Sequence, residues 1–410
     1  MATVRAFKAI RPVPQRAAKT SAVPYDVVTV PEARELAAGN PFSFLHVSRA
    51  EIDLSDGTDP YSAAVYDKAA ANFEDLKRNC PMIEEESPSL YAYRLEASGH
   101  SQVGIAACCS IDEYDQDVIR KHERTRRDKE DDRTRHMLAL RAQTGPVFLT
   151  YRSSPEIDDA IAKTLSSQAL FDFTAPDGVR HTLWRLGEVV ASQVAELFGI
   201  VPALYIADGH HRAASASRAR AQLRSSNQGH TGDEEYNYFL AVLFPSDQVR
   251  ILPYNRVVRD LNGKTPDAFL KELSEHFRVS PDGAPAPAAK GNVSVYLAGR
   301  WYGLRIPPAS VNLSDPISAL DVSVLQDRVL DRILGIKDVR TDKRIDFIGG
   351  IKGAAQLERV VDTGAAAVAF SFFPVTVTEL MSISDANQIM PPKSTWFEPK
   401  LRDGLLSHVI

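Results

Sequence analysis

Three short stretches of this 410-residue chain carry side chains suited to chemistry. The first is Asp208-Gly209-His210-His211-Arg212, set between the apolar run ALYIA and the alanine-rich run AASASRARAQL. That is the grammar of strand, tight loop and helix. A helix start offers unpaired N–H groups and partial positive charge, so it favours an anion. Gly209 lets a ligand approach the backbone, because no Cβ stands in the way. Asp208 can cap the helix or order the loop, while His210, His211 and Arg212 add donors of tunable or fixed positive charge. A phosphate fits this set best. The bland alternative is a capped, polar helix end. A metal site is a third reading, weakened because adjacent histidines diverge in direction and no HxxxH or CxxC accompanies them.

The second stretch is HERT, residues 122–125, at the head of the charged run KHERTRRDKEDDR. A glutamate beside a histidine at a helix start can serve as a general base if its carboxylate points into a cleft. Such charged runs usually form a solvated face, and that reading stands beside the first. The third is MPPKSTWFEPKLRDGL, residues 390–405. Lys393, Ser394 and Thr395 resemble the end of a phosphate loop, yet Pro391 and Pro392 stand where backbone donors are needed, so this is not a Walker motif. A lysine and two hydroxyls on a proline-stiffened loop can still hold a phosphate or a carboxylate. Packing of the tail for stability is the alternative.

The elements that must position these groups follow from composition and pattern. At this length one core is usually too small, and two associated domains are the default. A hydrophobic share of 44% with a net charge of −5 is ordinary for a soluble globular protein and argues against a nucleic-acid coat. The three cysteines read as reduced core residues, which with no secretory start or membrane-length apolar run implies a cytoplasmic protein. A helix is expected near 61–80 and a hairpin over 89–111 turning at Ser98-Gly99-His100. The charged run should become a helix ending at a glycine, followed by the strand PVFLTYR. A second hairpin is expected around Pro176-Asp177-Gly178, then the helix GEVVASQVAELFG leading into ALYIA. YFLAVLFP and VRILPYNRVV complete the strands of this half. The boundary is placed near 260, giving domains 1–260 and 261–410, with PDGAPAPAAKGN (281–292) a loop inside the second. The second half alternates strands and helices again. The fold class is α/β (α+β) with mixed sheets.

Taken together, HExT, then DGHHR after a strand, then PPKSTxFxPKLxxGL near the end resemble a large bacterial family of unknown function, domain-of-unknown-function family 1015. VPYDVV, NPFSFLHVSRAEID and LPYNRVV extend the resemblance over nearly the whole chain. It implies a ParB/sulfiredoxin-like mixed-sheet core with inserted hairpins, plus a C-terminal α/β domain that completes the site with PPKST. The chain is also distantly similar to the archaeal ADP-dependent free-serine kinases, in His122-Glu123, in Asp208 to Arg212, and in Pro392-Lys393-Ser394-Thr395. By that resemblance Glu123 deprotonates an acceptor hydroxyl, with His211 beside it as a second catalytic residue. Asp208, Gly209, His210, His211 and Arg212 cradle the donor phosphates of ATP or ADP. His122, Lys393, Ser394 and Thr395 close over the acceptor, and Asp208 is the candidate ligand for Mg²⁺. The stretch between His122-Glu123 and the DGHHR loop is longer here, and Ser394 replaces a threonine, which leaves donor and acceptor open. A sulfiredoxin reaction needs a cysteine ahead of the histidine, where this loop has Gly209 and His210, so a redox reading is excluded.

The expected function is a nucleotide-dependent small-molecule kinase, a phosphotransferase with an alcohol acceptor, acting on free serine or a similar small polar metabolite. The alternative is a non-catalytic nucleotide-binding regulatory protein. A DNA-partition factor is disfavoured by the net charge and by the lack of a helix-turn-helix signal. The expected partners are the nucleotide and the small substrate, without membrane or nucleic acid. Homo-oligomerisation is left open.

Overall fold

The computed structural model describes residues 2–80, 82–312 and 314–410. It is a mixed α/β structure that divides into two compact units, 1–249 together with 399–410, and 250–398. Among the described residues no helix is long and apolar enough to cross a membrane.

The first unit is built on a nine-stranded mixed sheet. Its middle is the hairpin Tyr91–Ala97 and His100–Ser110. Ala97 pairs with His100, so only Ser98 and Gly99 make the turn, both at positive φ (50° and 74°). Two such residues twist in the sense that flanking strands require, which is why the serine-glycine pair punctuates this run. Arg180–Arg185 and Phe171–Thr174 extend the sheet on one side, as the second expected hairpin. On the other side come Tyr238–Pro245, Val147–Tyr151, Leu204–Asp208 and Ile119–Arg120. Leu204–Asp208 runs antiparallel to Val147–Tyr151 and parallel to Ile119–Arg120. The DGHHR loop and the chain just before His122 therefore leave neighbouring strands at the same end of the sheet.

Helix His210–Ser226 packs its small residues Ala213, Ala216 and Ala219 into the main core, where the lack of bulk allows close approach. Helix Arg127–Leu140 lies beside it, with the Ser215 hydroxyl donating to the Glu130 carbonyl and Arg218 paired with Glu130 and Asp131. The charged run is not wholly a solvated face, for His122 and Asp132 are buried. Nor does this helix end at a glycine. Arg141 takes the left-handed conformation at its end (φ 51°), and the glycine of the expected stop, Gly145, serves packing: a Cβ there would stand 2.8 Å from Asp403 Oδ1. A second core gathers Phe44, Phe73 and Leu76 under helix Ala63–Asn79, the helix expected near 61–80. Beside it a four-stranded antiparallel sheet runs Met82–Glu84, Ala9–Pro12, Ser407–Val409, Ala142–Gln143.

The second unit has a six-stranded antiparallel sheet in the order Arg278–Pro281, Arg300–Arg305, Asn292–Leu297, Val368–Phe372, Tyr254–Val258, Ile345–Gly349. Arg250–Leu252 pairs with Trp396–Glu398. VRILPYNRVV thus supplies strands to this unit rather than to the first, which moves the start of the unit back to 250. Helix Gly353–Asp362 covers one sheet face through Leu357, packed with Val257, Tyr296 and Ala369. The proline- and alanine-rich stretch 282–291 is a loop inside this unit.

Candidate active site

Strand Leu204–Asp208 loses regular register between Ile206 and Asp208, and Gly209 then turns the chain at φ 98°. Helix His210–Ser226 begins at once, without a side-chain cap. The reason for glycine is sharper than ligand access. A Cβ at this position would lie 3.0 Å from Arg212 Nε and 3.1 Å from its Cζ, so the arginine of the same motif folds back beneath the turn.

Arg212 is accordingly not a surface donor. It is 6% exposed, donates to the Pro146 carbonyl, and stands 3.7 Å from Asp208 Oδ2. Lys400 Nζ donates to the same Asp208 oxygen at 3.0 Å. Burial opposes ionisation of Asp208, but Lys400 and Arg212 outweigh it and hold the carboxyl far below the usual range. Asp403, also buried near Arg212, goes the other way: burial raises it to about 7. These groups form a charged foundation under the loop rather than a cradle open to ligand.

The two histidines divide the work. His210 turns inward, its Nε2 accepting from the His122 backbone N–H at 3.4 Å. The rings of His122 and His210 meet edge to face, with centroids 4.4 Å apart. His122 is 2% exposed, and burial pushes it down to about 4 although its ring hydrogen-bonds to the Ile206 backbone. His210 is pushed well below the ordinary range by burial and by neighbouring His122. His211 lies on the other side of the helix start, where its Nε2 accepts from the Arg126 backbone N–H at 3.0 Å. That bond ties the loop ahead of helix Arg127–Leu140 to the DGHHR helix.

Glu123 sits in this loop, four residues before the helix rather than at its start. Its side chain is 37% exposed, with Oε2 4.0 Å from His210 Nδ1. Among the described residues, His122, Glu123 and His210 can offer three ligand atoms within 4.8 Å of one another. Asp208, the metal ligand expected from the sequence, is not in this group; its carboxylate already faces two cations.

Within the first unit, then, the chain brings together His122, Glu123, Asp208, Gly209, His210, His211 and Arg212. Lys393, Ser394 and Thr395 belong to the second unit. There Lys393 is left-handed (φ 56°) with Nζ 5.4 Å from the Tyr254 ring centre, and the buried Ser394 hydroxyl closes the turn by donating to the Pro391 carbonyl at 2.6 Å. Arg256, also fully buried, donates to the Tyr254 carbonyl at 2.8 Å and rests against the rings of Phe347 and Phe372. Sequence reasoning passed over Lys400, Asp403 and Arg256. All three lie inside the motifs PKLxxGL and LPYNRVV, and that placement was the available signal.

Among solved structures, the chain is similar to a free serine kinase in complex with AMP, at 14% identity and a TM-score of 0.36, over 74% of this chain and 91% of that one. A free serine kinase variant in complex with ADP is similar at 13% identity and 0.35, over 74% and 92%. A conserved hypothetical protein from Pyrococcus furiosus is similar at 13% and 0.35, over 75% and 95%. So distant a likeness leaves the chemistry to be argued from this chain's own residues. The chain matches no curated protein. The model of the family described as protein of unknown function (DUF1015) matches residues 4–323, and the chain belongs to that family.

Proposed function

We propose that this protein is a nucleotide-dependent phosphotransferase that acts on the hydroxyl of free serine or a similar small polar metabolite. One observation carries the reading: a half-exposed carboxylate, Glu123, stands beside an uncapped helix start that follows a sheet strand. Phosphoryl transfer asks for position and charge neutralisation more than covalent help. The start of helix His210–Ser226 offers N–H groups and positive potential to the phosphates of ATP or ADP. Glu123 takes the hydroxyl proton as the acceptor oxygen bonds to phosphorus and the nucleotide oxygen leaves. His211 serves by holding the Glu123 loop against the helix, and Arg212 by holding the turn. Lys393, Ser394 and Thr395 are assigned to the acceptor on resemblance alone. The ParB/sulfiredoxin-like description of the core rests on the same footing.

Mg²⁺ was tied to Asp208 from sequence. The Lys400 and Arg212 contacts argue against it, because a hard cation binding a single carboxylate must displace two resident positive charges. Magnesium is therefore not assigned to Asp208.

The non-catalytic, nucleotide-binding regulator is the second reading, and the engagement of Arg212 and His211 inside the protein favours it. Glu123→Gln separates the two. On the first reading this variant retains nucleotide affinity within about twofold and loses roughly 10²–10⁴ in transfer rate, the scale of a general base. The measurement is calorimetric titration of ADP and ATP beside mass spectrometry of a panel of hydroxylated metabolites. Nucleotide binding with no phosphorylated product from any acceptor leaves the regulator.

A further inference from the structure

His122, Glu123 and His210 raise a question that phosphate chemistry does not answer. A proton-accepting carboxylate needs an open approach and at most one orienting partner. It does not need two buried imidazoles packed edge to face, each with a ring nitrogen within 4.8 Å of it. We propose that these three residues form a binding site for a borderline divalent transition ion of the zinc class, and that its occupancy competes with proton acceptance by Glu123.

The donor set is the first argument. Two imidazole nitrogens and one carboxylate oxygen suit zinc-like ions, whereas magnesium prefers oxygen alone. The spacing is the second. The three ligand atoms already lie within 4.8 Å of one another, so small side-chain rotations bring them onto one ion. Enclosure is the third: His122 and His210 are both buried, so their rings are held in place before an ion arrives. Support behind the ligands is the fourth: the His122 ring is held by the Ile206 backbone, an outer partner of the kind that fixes ligand orientation. Finally, the histidines wall the site on the protein side while Glu123 stands half-exposed on the other. Three protein ligands with one open side leave a coordination position for water or a substrate oxygen.

The arrangement has a cost. His210 Nδ1 is the ring atom 4.0 Å from Glu123, and ligation through it moves the ring proton to Nε2, giving up the 3.4 Å contact with the His122 N–H. That contact is long for a hydrogen bond, and its loss is small. The competition half of the proposal rests on the phosphotransfer reading, since a carboxylate bound to a metal is far less basic toward the acceptor proton. The binding half does not.

The test uses the full chain, stripped with chelator and free of nucleotide. Cobalt(II) should bind one equivalent with a visible d–d absorption that zinc abolishes. Glu123→Gln, on a half-exposed side chain, should weaken cobalt binding at least tenfold, and His210→Asn should do the same with circular dichroism confirming that the variant folds. No saturable band, or wild-type affinity in both folded variants, overturns the site. Zinc should then inhibit phosphotransfer with the midpoint at which it displaces cobalt; transfer unaffected by saturating zinc overturns the competition. Metal binding without transfer under any condition leaves the site standing and removes the phosphotransferase reading instead.

Discussion

Arg212 shows how far a residue's place can differ from its type. In a motif at a helix start it looks like a phosphate donor; in the structure it is buried, pinned between the Pro146 carbonyl and Asp208. Removing it leaves Asp208 and Asp403 short of a positive partner in a dry environment. Breaking a buried pair from one side typically costs about 3–5 kcal/mol. We therefore expect Arg212→Ala to lower unfolding free energy by that order in urea titrations, with any loss of nucleotide affinity a consequence of loop disorder. Wild-type stability combined with weakened nucleotide binding would return Arg212 to the ligand. The sequence disclosed which residues cluster here, since strand, glycine and helix were written in order. It did not disclose which way each side chain turns. His210 and His211 are adjacent and differ only by the 100° step of the helix, yet one faces the core and the other the Arg126 backbone.

At the scale of elements, hairpins and helices with strong local signals were legible: Ser98-Gly99, the Pro176–Gly178 turn and the alanine-rich helix each carry their own punctuation. Ownership of strands was not. VRILPYNRVV reads as a strand pair in either half, and its partners Trp396–Glu398 and Ile345–Gly349, far along the chain, decide. The last residues pose the same problem in reverse. Ser407–Val409 lies between Ala9–Pro12 and Ala142–Gln143, while Lys400 bonds Asp208 and Arg402 bonds His181 and Asp177. Ending the chain before Pro399 should thus lower the melting temperature by about 10 °C or more, as several kcal/mol of pairing is lost. An unchanged melting temperature would mean that the strand contributes only at the periphery.

For the whole molecule, the dependence of stability on pH below neutrality is set by buried groups of opposite sign. His122 and His136 are both pushed down to about 4 by burial. The unfolded chain takes up those protons near pH 6.5, so the stability they confer is present above 6.5 and drains away as pH falls toward 4. Each contributes roughly 3 kcal/mol over that window. Asp403 has the opposite sign. Raised to about 7, it favours the folded state while protonated, and that contribution is lost as pH rises from 4 through 7. Melting temperature should peak between pH 6 and 7. Between pH 4 and 6.5 Asp403 therefore offsets part of the loss caused by the two histidines, and Asp403→Asn should make the fall in melting temperature over that window steeper; an unchanged slope there would assign the contribution to another group.

The interrupted first unit carries a consequence for biosynthesis. Residues 399–410 belong to it, and residues 250–398 intervene. A ribosome emitting this chain must finish the inserted unit before the edge between Ala9–Pro12 and Ala142–Gln143 can be filled. Until then those two strands stay open to stray partners, so chaperone demand should concentrate on nascent chains stalled just short of residue 399.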